Sequence, residues 1–243
     1  MRNSALALLF ALSLSLVLAF GGSRNLVAAE DPGKVGEAAQ FVIQIGLASQ
    51  LAIEGRASES PIAIAAAAEI LENVVIKQEA LDKANEEARA ADAANPDDPA
   101  PTASAPSNAL KLDAAALFNE AAALATKQQN EALAGIFTQR ANNVGSRQST
   151  EFAIEHTDRV NPRTRDVYTH RFNGGELATV LVIAEGDYDI DLQIFDMNDN
   201  LIVEDVDYTS VGLCEWTPRS TGNYKIKVVN TTSHYVDYYL VSN

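Results

Sequence analysis

The spacing of apolar positions changes near residue 150. Over residues 33–146 apolar residues recur at three- and four-residue steps, whereas from Glu151 onward they alternate with polar ones. The stretch "VGEAAQFVIQIGLASQLAIEG" places Val35, Ala38, Phe41, Ile45, Ala48 and Ala52 on one helical face, with Gly55 as its expected stop. Ser60 then offers an N-cap, and Pro61 suits the first helical position. A second helix follows with Ile62, Ala66, Ile70 and Val74 on one face, fading into "EEARAADAA". Residues 91–108 form a Pro/Ala/Asp loop, because "NPDDPAPTASAPSN" holds four prolines and cannot be helical. "DAAALFNEAAALAT" and "NEALAGIFTQRANNV" complete a second pair of amphipathic helices. Four helices in two hairpins predict an antiparallel helical bundle over residues 33–146.

Over residues 151–243 the alternation predicts strands at 152–157, 166–172, 178–184, 188–195, 201–206, 211–216, 223–229 and 235–241. Turn signals such as "NPRT", "NGGE", "MNDN" and "RSTGN" separate them. Many short strands with no helix between them read as an antiparallel β-sandwich. The fold class expected is therefore α+β with two domains.

The N-terminus reads as a signal. Arg2 precedes a charge-free apolar run from Ala5 to Phe20, and Val27 and Ala29 occupy the −3 and −1 positions of a small-residue cleavage site. Residues 1–29 are expected to be a signal peptide, with an uncleaved anchor as the alternative. The run is shorter than the ~20 residues a spanning helix needs, so no membrane span is expected after cleavage. The protein is then exported, periplasmic or extracellular. The formal charge is −15, and loss of Arg2 and Arg24 takes it to −17. So acidic a chain, with no basic run, is repelled by phosphate backbones, and nucleic acid is excluded as a partner. Cys214 stands alone, so no internal disulfide is available, and it is expected to be a small buried hydrophobe.

The segment "THRFNGGELATVLVIAEGDYDIDLQIFDMNDNLIVEDVDYTS", then "CEWTPRSTGNYKIKVVN" and the closing "DYYLVSN", resembles the bacterial pre-peptidase C-terminal domain. The likeness runs from about Thr157 to Asn243 and departs from the pattern at "NDNL", where the family usually has a glycine in the turn. It implies a jelly-roll-like sandwich carried by exported proteins as a non-catalytic module. Some relatives bind calcium, polymeric substrates or partner proteins. No peptidase sequence accompanies it, so protease activity is not implied.

Little of the remaining chemistry points to catalysis. His156, His170 and His234 lie in no metal-ligand spacing and are expected at strand surfaces or rims. No nucleophile elbow or phosphate loop is present. Trp216 and Tyr224 are expected in the core, and at least one of Tyr238 and Tyr239 should face outward. "GDYDIDLQIFDMNDN" fails as an EF-hand, since leucine stands where glycine is required. Read as a strand, Tyr188, Ile190, Leu192 and Ile194 share one face, and Asp187, Asp189, Asp191 and Gln193 the other. Carboxylates about 6.5–7 Å apart on a wet face repel by only about 0.6 kcal/mol, so no cation is demanded. If Asp205 or Asp207 returned beside Asp189 or Asp191, three or four carboxylates would make a calcium cage. Asp189, Asp191, Asp205 and Asp207 are thus the calcium candidates; a solvated or salt-bridged face is the alternative. The function expected is an exported, non-catalytic binding or structural protein, not an enzyme. Its partner would be an envelope or extracellular protein or polysaccharide. The competing classes are a calcium-dependent carbohydrate- or protein-binding module and an unrecognised secreted hydrolase.

Overall fold

A computed structural model describes residues 33–81, 83–88, 113–145, 151–186 and 188–243. The expected signal peptide, the 91–108 loop and Asp187 lie outside the described residues. The fold is α+β, with four helices among the described residues, α1 (Glu37–Ala57), α2 (Pro61–Leu71), α3 (Ala114–Lys127) and α4 (Glu131–Asn142). Two five-stranded sheets make a β-sandwich-like C-terminal region. Sheet one runs β1 (Ile76–Gln78), β3 (Ala153–Val160), β10 (Val236–Ser242), β5 (Ala178–Ala184), β8 (Val211–Trp216). Sheet two runs β2 (Lys83–Ala88), β4 (Thr164–Phe172), β9 (Gly222–Asn230), β6 (Ile190–Phe195), β7 (Leu201–Asp205). Pairings between these strands are antiparallel except that of β1 with β3, and an isolated bridge joins Lys34 to Glu176 in parallel.

The eight strands expected after residue 150 all form. Strands β1 and β2 were not foreseen. They come from the stretch read as the tail of the second helix, which instead ends at Leu71. "KANEEA" has helix-forming composition and no alternation, so local propensity pointed the wrong way; pairing with β4 overrides it. The segment thus lends one edge strand to each sheet.

Two apolar clusters hold the molecule together. Between the sheets lie Val180, Val182, Ile190, Leu192, Ile194, Ile226 and Val228 with their neighbours. The second cluster joins the helices to the outer face of sheet one: Phe41, Val42, Ile45 and Ala48 of α1 share it with Leu181, Ile183 and Val241. Every residue of β5 is buried because α1 covers one of its faces and sheet two the other. That cover also corrects the expectation for β10. Tyr238 points between the sheets, while Tyr239, although on the opposite face, is half-buried in the helix-side cluster instead of facing water.

Helix ends follow their capping residues. Ser60, Asp113 and Asn130 accept from the backbone N–H three residues on, at 3.3, 2.9 and 3.1 Å. Helix α1 begins at Gly36, which has no side chain to cap with; Glu151 does so from across the sequence, accepting from Glu37 N–H at 2.8 Å. Gly55 does not stop α1. It lies inside the helix, where a Cβ would meet Ile64 Cγ1 at 2.8 Å, so its role is to let α2 approach closely. In α2 the buried residues are Pro61, Ile64, Ala65, Ala67, Ala68 and Leu71, while Ile62 is 65% exposed. The expected face of Ile62, Ala66 and Ile70 is thus the less buried one; in "PIAIAAAAEIL" the one polar mark is Glu69, exposed on the same face as Ile62 seven residues earlier.

Candidate functional site

The acidic hairpin is the first place to look. Ile190, Leu192 and Ile194 are buried, and the turn between β6 and β7 falls at Met197–Asn200, as the alternation predicts. Asp196 organises it, accepting from the backbone N–H groups of Asn198 and Asn200 at 2.8 and 2.9 Å. Asp199, with φ 63°, receives Lys225 at 2.8 Å. Register then separates the calcium candidates. Asp205 lies opposite Leu192, so it shares the inner side of sheet two, while Asp191 lies on the outer side. Asp205 accepts from Leu213 N–H of β8 at 2.9 Å, linking the free edge of sheet one to β7. Asp207 accepts from the Thr209 hydroxyl. Asp189 accepts from the Thr231 hydroxyl at 2.6 Å, and its other oxygen is buried without a hydrogen-bond partner. Among the described residues no three His, Cys, Asp or Glu side chains gather in a metal-ligating group.

The densest polar chemistry lies elsewhere, between β2, β3, β4 and β10. The Tyr168 hydroxyl stands 2.7 Å from Asp158 Oδ2 and 2.5 Å from the Tyr238 hydroxyl. The Tyr238 hydroxyl in turn stands 2.8 Å from Asp166 Oδ2. Lys83 Nζ closes the ring, 2.8 Å from Asp166 Oδ1 and 3.2 Å from Asp158 Oδ2. Asp166, Tyr168 and Tyr238 have no solvent exposure at all. Burial raises the Asp166 carboxyl above the usual aspartate range despite Lys83 and Tyr238. Burial also works against an ionised Asp158, but Tyr168, the Arg159 N–H and Lys83 together bring that carboxyl below its ordinary value. Burial likewise pushes both tyrosines far up, so neither hydroxyl ionises at neutral pH. His156 borders the ring. Its Nδ1 accepts from Leu81 N–H at 3.2 Å, and its Nε2 lies 3.8 Å from Asp158 Oδ2.

An aromatic group closes the other end of the sandwich. The Phe172 ring packs edge-on against Trp216 at 4.7 Å and against His170 at 4.9 Å, with Tyr224 5.5 Å from Trp216. Trp216 is in the core as expected, and its Nε1 is buried without a hydrogen-bond partner. Burial lowers the His170 pKa below 6.5, only partly offset by a contact with the Asn243 backbone and the charge of Glu79. A lowered folded-state pKa gives stability that is present above 6.5 and lost as pH falls through the folded value. His170→Gln should therefore flatten the fall in melting temperature between about pH 7 and pH 5. An unchanged slope would rule out His170 as its source.

The crossover from β7 to β8 is the most prominent exposed feature. Tyr208 is 95% exposed and Val206 47%, yet the loop that carries them is tied down on both sides. Ile190 N–H donates to Thr209 O at 3.1 Å and Ala184 N–H to Ser210 O at 2.8 Å. On the helical side, a shallow cleft of about 350 Å³ lies among Arg56, Ile64, Glu120 and Lys127. Its charges are already paired, Arg56 bidentately with Glu120 and Lys127 with Glu59. Sequence reasoning found neither the buried ring nor the presented tyrosine. Lys83 sat in a segment read as helix, and a lone tyrosine between Asp207 and Thr209 gives no signal of its exposure. The one trace in the sequence was Asp166 beside Tyr168, where an acid occupies an inward position of a strand.

No helix among the described residues is long and apolar enough to cross a membrane. No family model matches the chain, and no curated protein matches it. Among solved structures, the chain is similar in part to a periplasmic lysozyme inhibitor of g-type lysozyme from Aeromonas hydrophila. That likeness has 14% identity and a TM-score of 0.32, over 41% of this chain and 91% of that one. A de novo designed double-stranded β-helix, solved by NMR in solution, is 13% identical with a TM-score of 0.25, over 37% of this chain and 97% of that one. Likenesses at this level say nothing of activity.

Proposed function

We propose that this protein is an exported, non-catalytic binding protein whose β-sandwich is the interaction module. In this reading the sandwich is a jelly-roll-like domain of the pre-peptidase C-terminal kind, and α1–α4 form a small bundle that backs it. The partner is an envelope or extracellular protein. The observation that carries the reading is the Val206–Tyr208 crossover. A tyrosine held almost wholly in water, on a loop fixed by backbone hydrogen bonds to β5 and β6, presents its ring with little backbone freedom left to lose on contact. Rigid exposed aromatics are the side chains that anchor protein interfaces, because they bury much area for little entropy. A photo-crosslinking aromatic residue placed at position 208 and exposed to an envelope extract tests this. A discrete protein adduct, competed away by unmodified protein but not by Tyr208→Ala protein, is expected. Competition by the alanine variant equal to that of the unmodified protein would overturn the reading, as would adducts no more frequent than from the probe at Ile62.

A further inference from the structure

The ring of Lys83, Asp158, Asp166, Tyr168 and Tyr238 contains one more oxygen–oxygen contact than its hydroxyls can bridge. Three contacts run in series: Asp166 Oδ2 to Tyr238 Oη at 2.8 Å, Tyr238 Oη to Tyr168 Oη at 2.5 Å, and Tyr168 Oη to Asp158 Oδ2 at 2.7 Å. Each needs one hydrogen between its oxygens. The two hydroxyls provide two. With both aspartates ionised, one contact would press lone pairs together inside the protein.

We propose that Asp166 keeps its proton at neutral pH and donates it from Oδ2 to Tyr238, so that hydrogens run Asp166 to Tyr238 to Tyr168 to Asp158. The choice between the two acids follows from their oxygens. Both oxygens of Asp158 already accept, Oδ1 from the Arg159 N–H at 2.8 Å and Oδ2 from Lys83 and Tyr168. Asp166 Oδ1 faces Lys83, and its Oδ2 meets only Tyr238, so Oδ2 is free to carry a hydrogen. Charge agrees with the hydrogen count. Lys83 and an ionised Asp158 balance, and a neutral Asp166 leaves the cluster uncharged; two ionised acids would leave an excess negative charge, with the Asp166 carboxylate wholly out of solvent. Among the described residues, the other strands around the ring add no compensating cation. His156 of β3 accepts at Nδ1 and so presents Nε2–H toward Asp158, β9 offers Ile226 and Val228, and β5 offers Ala184.

A carboxyl that stays protonated on folding makes the protein take up a proton as it folds. The advantage is full below the ordinary aspartate value of 3.8 and is lost as pH rises through the folded value. Between those limits the folding constant of the wild type, relative to a variant lacking the group, falls about tenfold per pH unit. Asp166→Asn mimics the protonated acid: its Nδ2 donates to Tyr238 and its Oδ1 takes the place that faces Lys83.

Carboxyl ¹³C NMR on aspartate-labelled full-length protein tests the assignment, with the Asp166 resonance identified by its loss in Asp166→Asn or, should that variant not fold, by through-bond correlation in the wild type. At pH 7 the resonance is expected at the protonated position, unmoved while the exposed aspartates titrate. An Asp166 resonance that shifts with those aspartates near 3.8 overturns the proposal, as does a protonated Asp158 in its place.

Discussion

Leu181→Ala should lower the unfolding free energy by about 2–5 kcal/mol. Leu181 sits at the middle of β5, fully buried, with its side chain in the cluster that joins sheet one to α1. Above it lies Gly46, whose Cα hydrogen points at the leucine: a Cβ there would stand 3.4 Å from Leu181 Cδ1. Truncation opens a void under a helix that Phe41 and Ile45 hold in the same cluster, so the site collapses poorly. Urea denaturation followed both by helical and by sheet signals would measure it. Both signals should shift together, because one cluster contains both kinds of element. Leu181→Met, which conserves volume, should cost under about 1.5 kcal/mol. A loss below 1 kcal/mol in the alanine variant, or a shift confined to the helical signal, would contradict a shared core.

Lys83→Met is the second large effect. It removes the ammonium that pairs with the half-exposed Asp158 and faces the buried Oδ1 of Asp166, and leaving such a buried acceptor without a partner costs about 1–3 kcal/mol. Solvent reaches both Lys83 and Asp158 and screens their attraction, which places the expected loss at pH 7 at about 1–2 kcal/mol. The loss has a definite pH dependence. Asp158 is held below its ordinary 3.8, so its pairing stabilises above that value and is lost as pH falls through the depressed folded value. The gap between wild type and variant should therefore narrow below about pH 4 in guanidinium-free thermal melts. A gap that stayed constant down to pH 3 would mean that Lys83 contributes packing and not charge.

Much of the sandwich was legible in the alternation of residues, because one face of each strand is dry and the other wet. Strand 188–195 is the clearest case: Ile190, Leu192 and Ile194 go in and Asp191 and Gln193 out, as their order in the chain demands. Legibility failed where an element is covered on both sides or on neither. The outer side of β10 gave no warning that a helix lies over Tyr239. Helix α2, apolar but for Glu69, left that one residue to mark the exposed face it shares with Ile62. Strand β2 is an edge strand of polar composition, and its place follows from what β4 offers rather than from its own residues. The acidic hairpin was read correctly as strand and turn, but the distance between its acids depended on register. One residue of register decides on which face a side chain lies, and here it puts Asp205 beneath the sheet and Asp191 above it. The buried ring was beyond reach for a related reason: its five members come from four strands, one of them unforeseen.

The passage of residues 76–88 along the margins of both sheets has a consequence for dividing the chain. A fragment starting at Glu151 would contain every strand that the alternation announces, yet it would be left with β3 and β4 as bare outer strands. It would also lose the amine that meets Asp158 and Asp166, and the helical roof over Leu181 and Ile183. Open backbone on two margins and an uncovered apolar sheet face are the ingredients of self-association. A fragment for expression should therefore keep the helices and the sandwich together, along with Gly33 and Lys34, which bond to Thr217 and Glu176.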